Sequence, residues 1–283
     1  MRVSSSSVTL GVSGLSAHVQ PDRFVPGAFE LIVDGTPQSH VKLDDPSELF
    51  YEYIRRIGHL VDLVAPAGRP ITAVHLGGGA LTLPRYVEAT RPGSSQQVAE
   101  LESELVALVR EELPLPKRAK IRVRHGDARA IVEKLPAGLN GVTDLVVVDI
   151  FSGSQTPAHV TSREFYALVP RLLAPGGILA VNAADGPGLP FVRSQLATLQ
   201  SLFPFVGALA EAQVLKGRRF GNVILVAGTE DRVSEWMPRL LAGGPHPARM
   251  LIGAELDRFV GEAPVVTDAS ATPSPAPSST LFT

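Results

Sequence analysis

Apolar and polar positions alternate in short runs over roughly the first 45 residues, a pattern that predicts β-structure. Residues 29–33 and 39–43 are partly alternating runs, and Asp34-Gly35-Thr36-Pro37 between them is a turn cluster. Residues 8–19 alternate apolar with small polar side chains and add one or two strands. The pattern then changes. Asp45-Pro46-Ser47-Glu48 reads as a helix start with Ser47 as N-cap, and Leu49, Tyr53, Ile57, Leu60 and 61–64 continue at helical spacing.

From Ile71 onward, buried strand and helix alternate. Strands are predicted over 71–76, 97–101, 121–123, 145–148 and 178–181. Helices are predicted over 82–90, 103–113, 128–135, 162–173 and 189–202, the fourth closed by Pro175-Gly176-Gly177. Leu145-Val146-Val147-Val148 is apolar on both faces, as central parallel strands are. Runs at 206–214 and 220–226 flank Lys216-Gly217-Arg218-Arg219 as a hairpin-like pair. Five βα repeats closed by an antiparallel pair predict an α/β doubly wound sheet, preceded by a small β-region. Beyond Val260, Pro, Ser, Thr and Ala dominate without core-forming periodicity, which predicts a disordered tail.

Composition narrows the chemistry. There is no cysteine, so disulfides, thiolate metal sites and cysteine nucleophiles are excluded. The net charge of −2 provides no positive field for nucleic acid or anionic lipid. No apolar run reaches the length of a membrane span, and Met1-Arg2-Val3 with its four serines lacks a signal-type core. The expectation is a cytoplasmic protein with no membrane or nucleic-acid partner. Seven histidines without i, i+4 pairing give no metal site.

In an open α/β sheet, ligands bind beyond the carboxyl ends of the strands, and four such ends carry candidates. Gly77, Gly78 and Gly79 serve either a tight turn or close approach of a ligand to the backbone. Glu100, 21 residues past Gly79, and Glu102 stand where a carboxylate accepts from ribose hydroxyls or begins a helix. Asp127, followed by Ala128, faces an adenine edge or caps the next helix. Asp149 acts as a base, anchors an amine, or caps its loop. Their order on successive strands suits an adenosine ligand without pyrophosphate, such as S-adenosylmethionine or a relative of it.

With these residues in place, the chain resembles the spermidine synthase (polyamine aminopropyltransferase) family from about Leu31 to Gly228. The family's D-G-x-x-Q element is matched by Asp34-Gly35-Thr36-Pro37-Gln38, and its Y-H-E segment in part by Tyr51-Glu52-Tyr53. The G-G-G-D-G-G-x-x-R loop resembles residues 77–85, ending in Arg85. The E-I-D element resembles Glu100-Leu101-Glu102, and the G-D-G/A element Gly126-Asp127-Ala128. The D-S-S-D-P loop aligns with Asp149-Ile150-Phe151-Ser152-Gly153, and E-F-Y is present as Glu164-Phe165-Tyr166.

The resemblance implies a Rossmann-like, class I methyltransferase-type α/β sheet with an N-terminal β-domain. The segments would be 1–48 (β-strand domain), 49–260 (adenosyl-ligand-binding catalytic domain) and 261–283 (disordered tail). It implies an aminopropyl group moved from decarboxylated S-adenosylmethionine to an amine or polyamine, without metal, in a homodimer or homotetramer. Asp149 and Tyr51 would be catalytic. Gln38, Gly77, Gly78, Gly79, Glu100, Glu102, Asp127 and Ala128 would bind the adenosyl ligand. Four positions depart from the family: Ala80 and Ser152 replace loop aspartates, Glu52 replaces the histidine, and Asn182 replaces a glutamine. Three readings stay open: an aminopropyltransferase-like enzyme with an altered acceptor, an S-adenosylmethionine-dependent methyltransferase, and a catalytically silent adenosyl-ligand binder.

Overall fold

Two sheets organise the chain, and the computed structural model describes residues 7–277. Expectations for residues 1–6 and 278–283 lie outside the described residues. The smaller sheet is antiparallel: β1 (Val8–Thr9), β2 (Ser16–Pro21), β3 (Ala28–Val33) and β4 (Thr36–Lys42). Asp34 and Gly35 both have positive φ, 49° and 75°, as a tight two-residue hairpin turn demands. Ala17, Val19, Leu31, Val33 and Val41 share one buried face. They pack on Ala80, Leu81, Leu105, Leu108 and Val109 of the larger unit.

The larger sheet alternates with its helices in the chain order β5 (Thr72–Leu76), α2 (Thr82–Thr90), β6 (Ser95–Glu100), α3 (Ser103–Glu112), β7 (Lys120–His125), α4 (Ala128–Glu133) and β8 (Thr143–Val148). It continues with α5 (Arg163–Tyr166), β9 (Leu173–Asp185), α6 (Pro190–Gln200), β10 (Phe205–Glu211), α7 (Ala212–Leu215), β11 (Gly221–Gly228), α8 (Val233–Gly243), β12 (Ala248–Ile252) and α9 (Gly253–Val260). The preceding helix α1 (Glu52–Leu63) packs on one face of the sheet. The strand order is β12-β10-β11-β9-β8-β5-β6-β7, with β7 to β9 parallel and β11, β10 and β12 antiparallel. Chain order therefore reverses between β5 and β8, so a crevice opens beyond Leu76 and Val148. Leu145 and Val147 fill one face of β8, and Val146 and Val148 the other. This is the buried central strand that the apolar run predicts.

The departures have local causes. Helix α1 begins at Glu52, not at Ser47, because the Ser47 amide and hydroxyl both donate to Asp45 Oδ1 at 3.1 and 2.5 Å. That local turn competes with helix. The helix predicted over 162–173 shrinks to α5, since Pro170 interrupts it and Leu173 already belongs to β9. Between the last antiparallel strands, β10 stops at Glu211 and α7 intervenes. Strand β12 is a short edge strand with no distinctive alternation.

The segment from 261 to 277, expected to be disordered, is docked. The Val266 amide donates to Thr198 Oγ1 at 2.9 Å, and its carbonyl accepts from the Arg163 amide at 2.8 Å. Arg129 clamps Asp268 through two bonds of 2.7 and 2.8 Å, and Ser162 Oγ adds a third at 2.5 Å. Polar side chains, rather than an apolar stripe, hold this strap. Core periodicity is therefore blind to it.

Candidate functional site

The crevice is a cleft of about 330 Å³ closed on one side by the small sheet. Gly77, Gly78 and Gly79 form its floor at the end of β5. Gly77 has φ +98°, and a Cβ there would stand 2.0 Å from the Asp149 carbonyl oxygen, so the two strand ends meet at a point only glycine allows. Ser39 of β4 accepts from the Ala80 amide at 3.2 Å, and Thr82 donates to the His40 carbonyl at 3.1 Å. These two bonds tie the small sheet to the glycine loop. Arg85, which is buried, donates to the carbonyls of Ala80, Leu113 and Pro114 and serves as an internal staple.

The carboxylates along this side are met by backbone amides. Glu100 Oε2 accepts from Gly78 and Gly79 at 2.9 and 3.2 Å, and its Oε1 accepts from Glu102 at 3.1 Å. A carboxylate has about four acceptor positions, so about one remains for a ligand. Glu102, expected to share this role, also lines the cleft, and its two oxygens take the amides of Val12 and Ser13 at 2.9 and 2.7 Å. It anchors the β1–β2 hairpin. Asp127 caps α4, accepting from Ala130 at 2.9 Å, and its other oxygen meets His159 Nε2 at 2.6 Å. Burial acts to raise its pKa, but the Ala130 amide and His159 outweigh burial and hold it below the usual range. Asp127 therefore caps α4, as one of its two sequence readings has it, and it lines the cleft beside Ala128.

Asp149 stands opposite, at the end of β8. Burial pushes its pKa up to about 6, opposed by one hydrogen bond, from Asn182 Nδ2 at 2.8 Å. Asn222 in turn donates to Asn182 Oδ1 at 2.9 Å. Behind this pair lies a second cavity of about 370 Å³, which shares Gln38, Tyr51, Tyr53, Phe151 and Gly153 with the first. Gln38 Nε2 donates to the Gly153 carbonyl at 3.1 Å and so spans from β4 to the loop after Asp149. Tyr51 and Tyr53 stack with their rings 6.2 Å apart. Burial pushes the Tyr51 hydroxyl up to about 12, with Glu30 and Asp22 adding to it. For Tyr53, burial comes first and Asp149 next. Tyr53, rather than Tyr51, therefore has the candidate base as its charged neighbour. In the sequence Tyr53 reads as a helix-face residue and as the last position of the partial Y-H-E match, with no site role of its own.

The loop from Asp149 to Pro157 is held from outside. Ser274 Oγ accepts from the Thr156 amide at 2.8 Å, the Ser274 amide donates to the Thr156 carbonyl at 3.0 Å, and Gln155 Nε2 donates to the Ser274 carbonyl at 2.5 Å. Ser274 is fully buried, and Pro277 lines the second cavity. Among the described residues no cluster of three or more His, Asp or Glu could hold a metal ion, and no helix is long and apolar enough to cross a membrane.

Comparison with known proteins bears on this arrangement. No family model matches the chain. A polyamine aminopropyltransferase from Chromobacterium violaceum is 29% identical over 197 residues, covering 68% of this chain and 69% of that protein. One from Neisseria meningitidis is 26% identical over 193 residues, with 68% of each chain covered. A probable spermidine synthase from Corynebacterium glutamicum superposes with a TM-score of 0.81 at 29% identity, covering 93% of this chain and 96% of the other. The chain is similar to the spermidine synthase family, as a divergent relative of it. Against that family's motifs its departures now have positions. Ala80, where the family motif has an aspartate, is fully buried against the small sheet. Ser152 lines the cleft on the strap-held loop, and Asn182 is the partner of Asp149.

Proposed function

We propose that the protein transfers an aminopropyl group from decarboxylated S-adenosylmethionine to the nitrogen of an amine or polyamine acceptor. The observation that carries this reading is Asp149, whose pKa burial raises, on the wall of the first cleft and bonded to Asn182 on the wall of the second. In this reading the first cleft holds the adenosyl part. Gly77, Gly78 and Gly79 admit it closely, Glu100 accepts from the ribose, and Asp127 with Ala128 meets the adenine edge. Gln38 and the stacked tyrosines, Tyr51 and Tyr53, wall the junction.

An amine of pKa near 10 arrives protonated and attacks only as the free base. A carboxylate that titrates near pH 6 takes up the ammonium's proton before the N–C bond forms, within the range where general bases serve neutral-pH chemistry. The donor's sulfonium needs no acid to leave, so orientation supplies most of the remaining help. A homodimer or homotetramer and a cytoplasmic setting, with no nucleic-acid or membrane partner, belong to the same proposal. The test is product identity. Methylthioadenosine from decarboxylated S-adenosylmethionine plus an amine is expected. S-adenosylhomocysteine from S-adenosylmethionine, or no product across an amine panel, overturns the reading.

A further inference from the structure

The second cavity decides what the far end of an acceptor can be. Asn182 on its wall bonds Asp149 on the wall of the first, so an amine presented to Asp149 from this side leaves its remote end here. Four charged side chains line the cavity: Glu52, Arg56, Glu211 and Arg219. Glu211 is committed, since Arg219 Nε and Nη2 donate to it at 3.0 and 2.7 Å and the Gln213 amide at 3.0 Å. Glu52 sits at the exposed rim, 3.4 Å from Arg56 Nη1. Arg56 is the deep charge, with 2% of its surface exposed. Its Nη2 donates to the Pro245 carbonyl at 3.1 Å, and its Nε is buried without a partner. A guanidinium carries five N–H donors in a fixed fork. A buried one with donors left over is matched by a carboxylate, whose two oxygens accept two of them. A second ammonium would find only Glu52, at the exposed rim and already paired with Arg56, and deeper in the cavity would face the Arg56 charge.

We propose that Arg56 binds a carboxylate at the far end of the acceptor, so that the acceptor is an amino carboxylate rather than a diamine. The proposal rests on the aminopropyl-transfer reading for its chemistry, and on Arg56 alone for its specificity. In the step, the acceptor nitrogen's lone pair forms a bond to the donor carbon attached to sulfur. The C–S bond breaks with its electron pair going to sulfur, and neutral methylthioadenosine leaves. The proton lost by nitrogen passes to Asp149 and then to solvent.

The test uses the full chain and two acceptors of similar reach, 4-aminobutanoate and 1,4-diaminobutane, with decarboxylated S-adenosylmethionine as donor. Methylthioadenosine release is expected with kcat/KM at least about tenfold higher for 4-aminobutanoate, and Arg56→Gln should cost that acceptor roughly tenfold to a hundredfold. Since Arg56 also holds the Pro245 carbonyl, calorimetric titration of the unaltered protein with both compounds and with butylamine gives a reading that needs no variant. The carboxylate should bind tightest. Tighter binding or faster turnover of 1,4-diaminobutane overturns the proposal while leaving aminopropyl transfer intact. Preferential 4-aminobutanoate binding without methylthioadenosine from any amine leaves the Arg56 site standing and removes the transfer reading. If Arg56→Gln weakens only S-adenosylmethionine and 4-aminobutanoate never binds, the cation serves the donor, and the proposal is wrong.

Discussion

The two sides of Asp149 satisfy their charges by different means. On the adenosyl side, Glu100 and Glu102 are met by five backbone amides, and Asp127 by a helix-start amide and His159. On the acceptor side, Glu52 meets the Arg56 guanidinium, Glu211 the Arg219 guanidinium and the Gln213 amide, and Asp149 one side-chain amide. An anion tied to main-chain amides is fixed by the course of the backbone, and replacing it orphans donors that cannot move away. An anion tied to side chains can be changed together with its partner, leaving the backbone where it was. That difference sets Glu52 and Asn182, two of the four departures from the family motifs, apart from Glu100 and Asp127, which match them. It also singles out Asp149, the carboxylate that burial lifts toward neutrality against a single opposing bond.

The largest effect is expected at that residue. Asp149→Asn removes the basicity and keeps the shape, so turnover should fall by about 10²–10⁴ while methylthioadenosine still binds. In the parent, kcat/KM should rise with pH through about 6, and this limb should vanish in the variant. Stability should move the other way. A carboxyl group whose pKa is higher folded than unfolded contributes stability below its unfolded value, near pH 4, and loses it as pH rises through about 6. Asp149→Asn should therefore raise the melting temperature at pH 8, by the equivalent of about 1–3 kcal/mol, and leave it little changed at pH 4. A melting temperature that falls at pH 8 would mean that burial does not strain Asp149.

Next in size is a substitution that seems to restore the family motif. Ala80→Asp would put back the loop aspartate, but Ala80 is fully buried among Leu31, Val33, Leu81 and Val98. A lone carboxylate there should cost about 2–5 kcal/mol, read by denaturant unfolding, with no gain in amine binding. A stable variant that binds amines more tightly would show that the acceptor side extends under the small sheet.

Glu100 and Glu102 separate binding from scaffolding within the adenosyl side. Glu100→Ala should weaken methylthioadenosine by about 10–100-fold, the worth of charge-assisted hydrogen bonds of roughly 1.5–3 kcal/mol. Glu102→Ala should leave affinity within a few-fold but increase hydrogen exchange at Val12 and Ser13, the amides it holds. If the two variants exchange these effects, the ribose contact belongs to Glu102.

Much of this was legible in the sequence, for reasons specific to each element. The apolar run 145–148 and the glycine triplet reflect constraints that act within a few residues, and the spacing to Glu100 follows the length of one helix and one strand, so the strand ends could be placed. The roles of Glu102, Tyr53 and Arg56 could not. Each is set by a contact with a segment far away in the chain, namely the hairpin at 12–13, Asp149 and Pro245. The strap was hidden for a further reason. Its composition signals disorder, and its hold on the fold comes from single polar residues such as Asp268 and Ser274, which carry no periodicity.

The strap gives the smallest effect and the sharpest check on the acceptor side. Ser274 bonds the Thr156 amide and carbonyl at one end of the loop that begins with Asp149, and it lines neither cavity. Ser274→Ala leaves the Thr156 amide without its partner, at a cost of about 1–3 kcal/mol that falls locally on the loop. The acceptor's KM should therefore rise by roughly that energy's worth or less, while methylthioadenosine affinity stays level, since Gly77, Gly78 and Glu100 are tied to other segments. Asp268→Asn acts further away and should do less. Hydrogen bonds from Arg129, then Ser162, hold the Asp268 carboxyl down to about 2, so its contribution is present above the ordinary carboxylate range and lost as pH falls through about 2. Its partner is partly exposed, so added salt should shrink the difference between parent and variant. Equal losses of donor and acceptor binding in Ser274→Ala would show that the loop couples both sides of Asp149, and the division drawn between them would have to be abandoned.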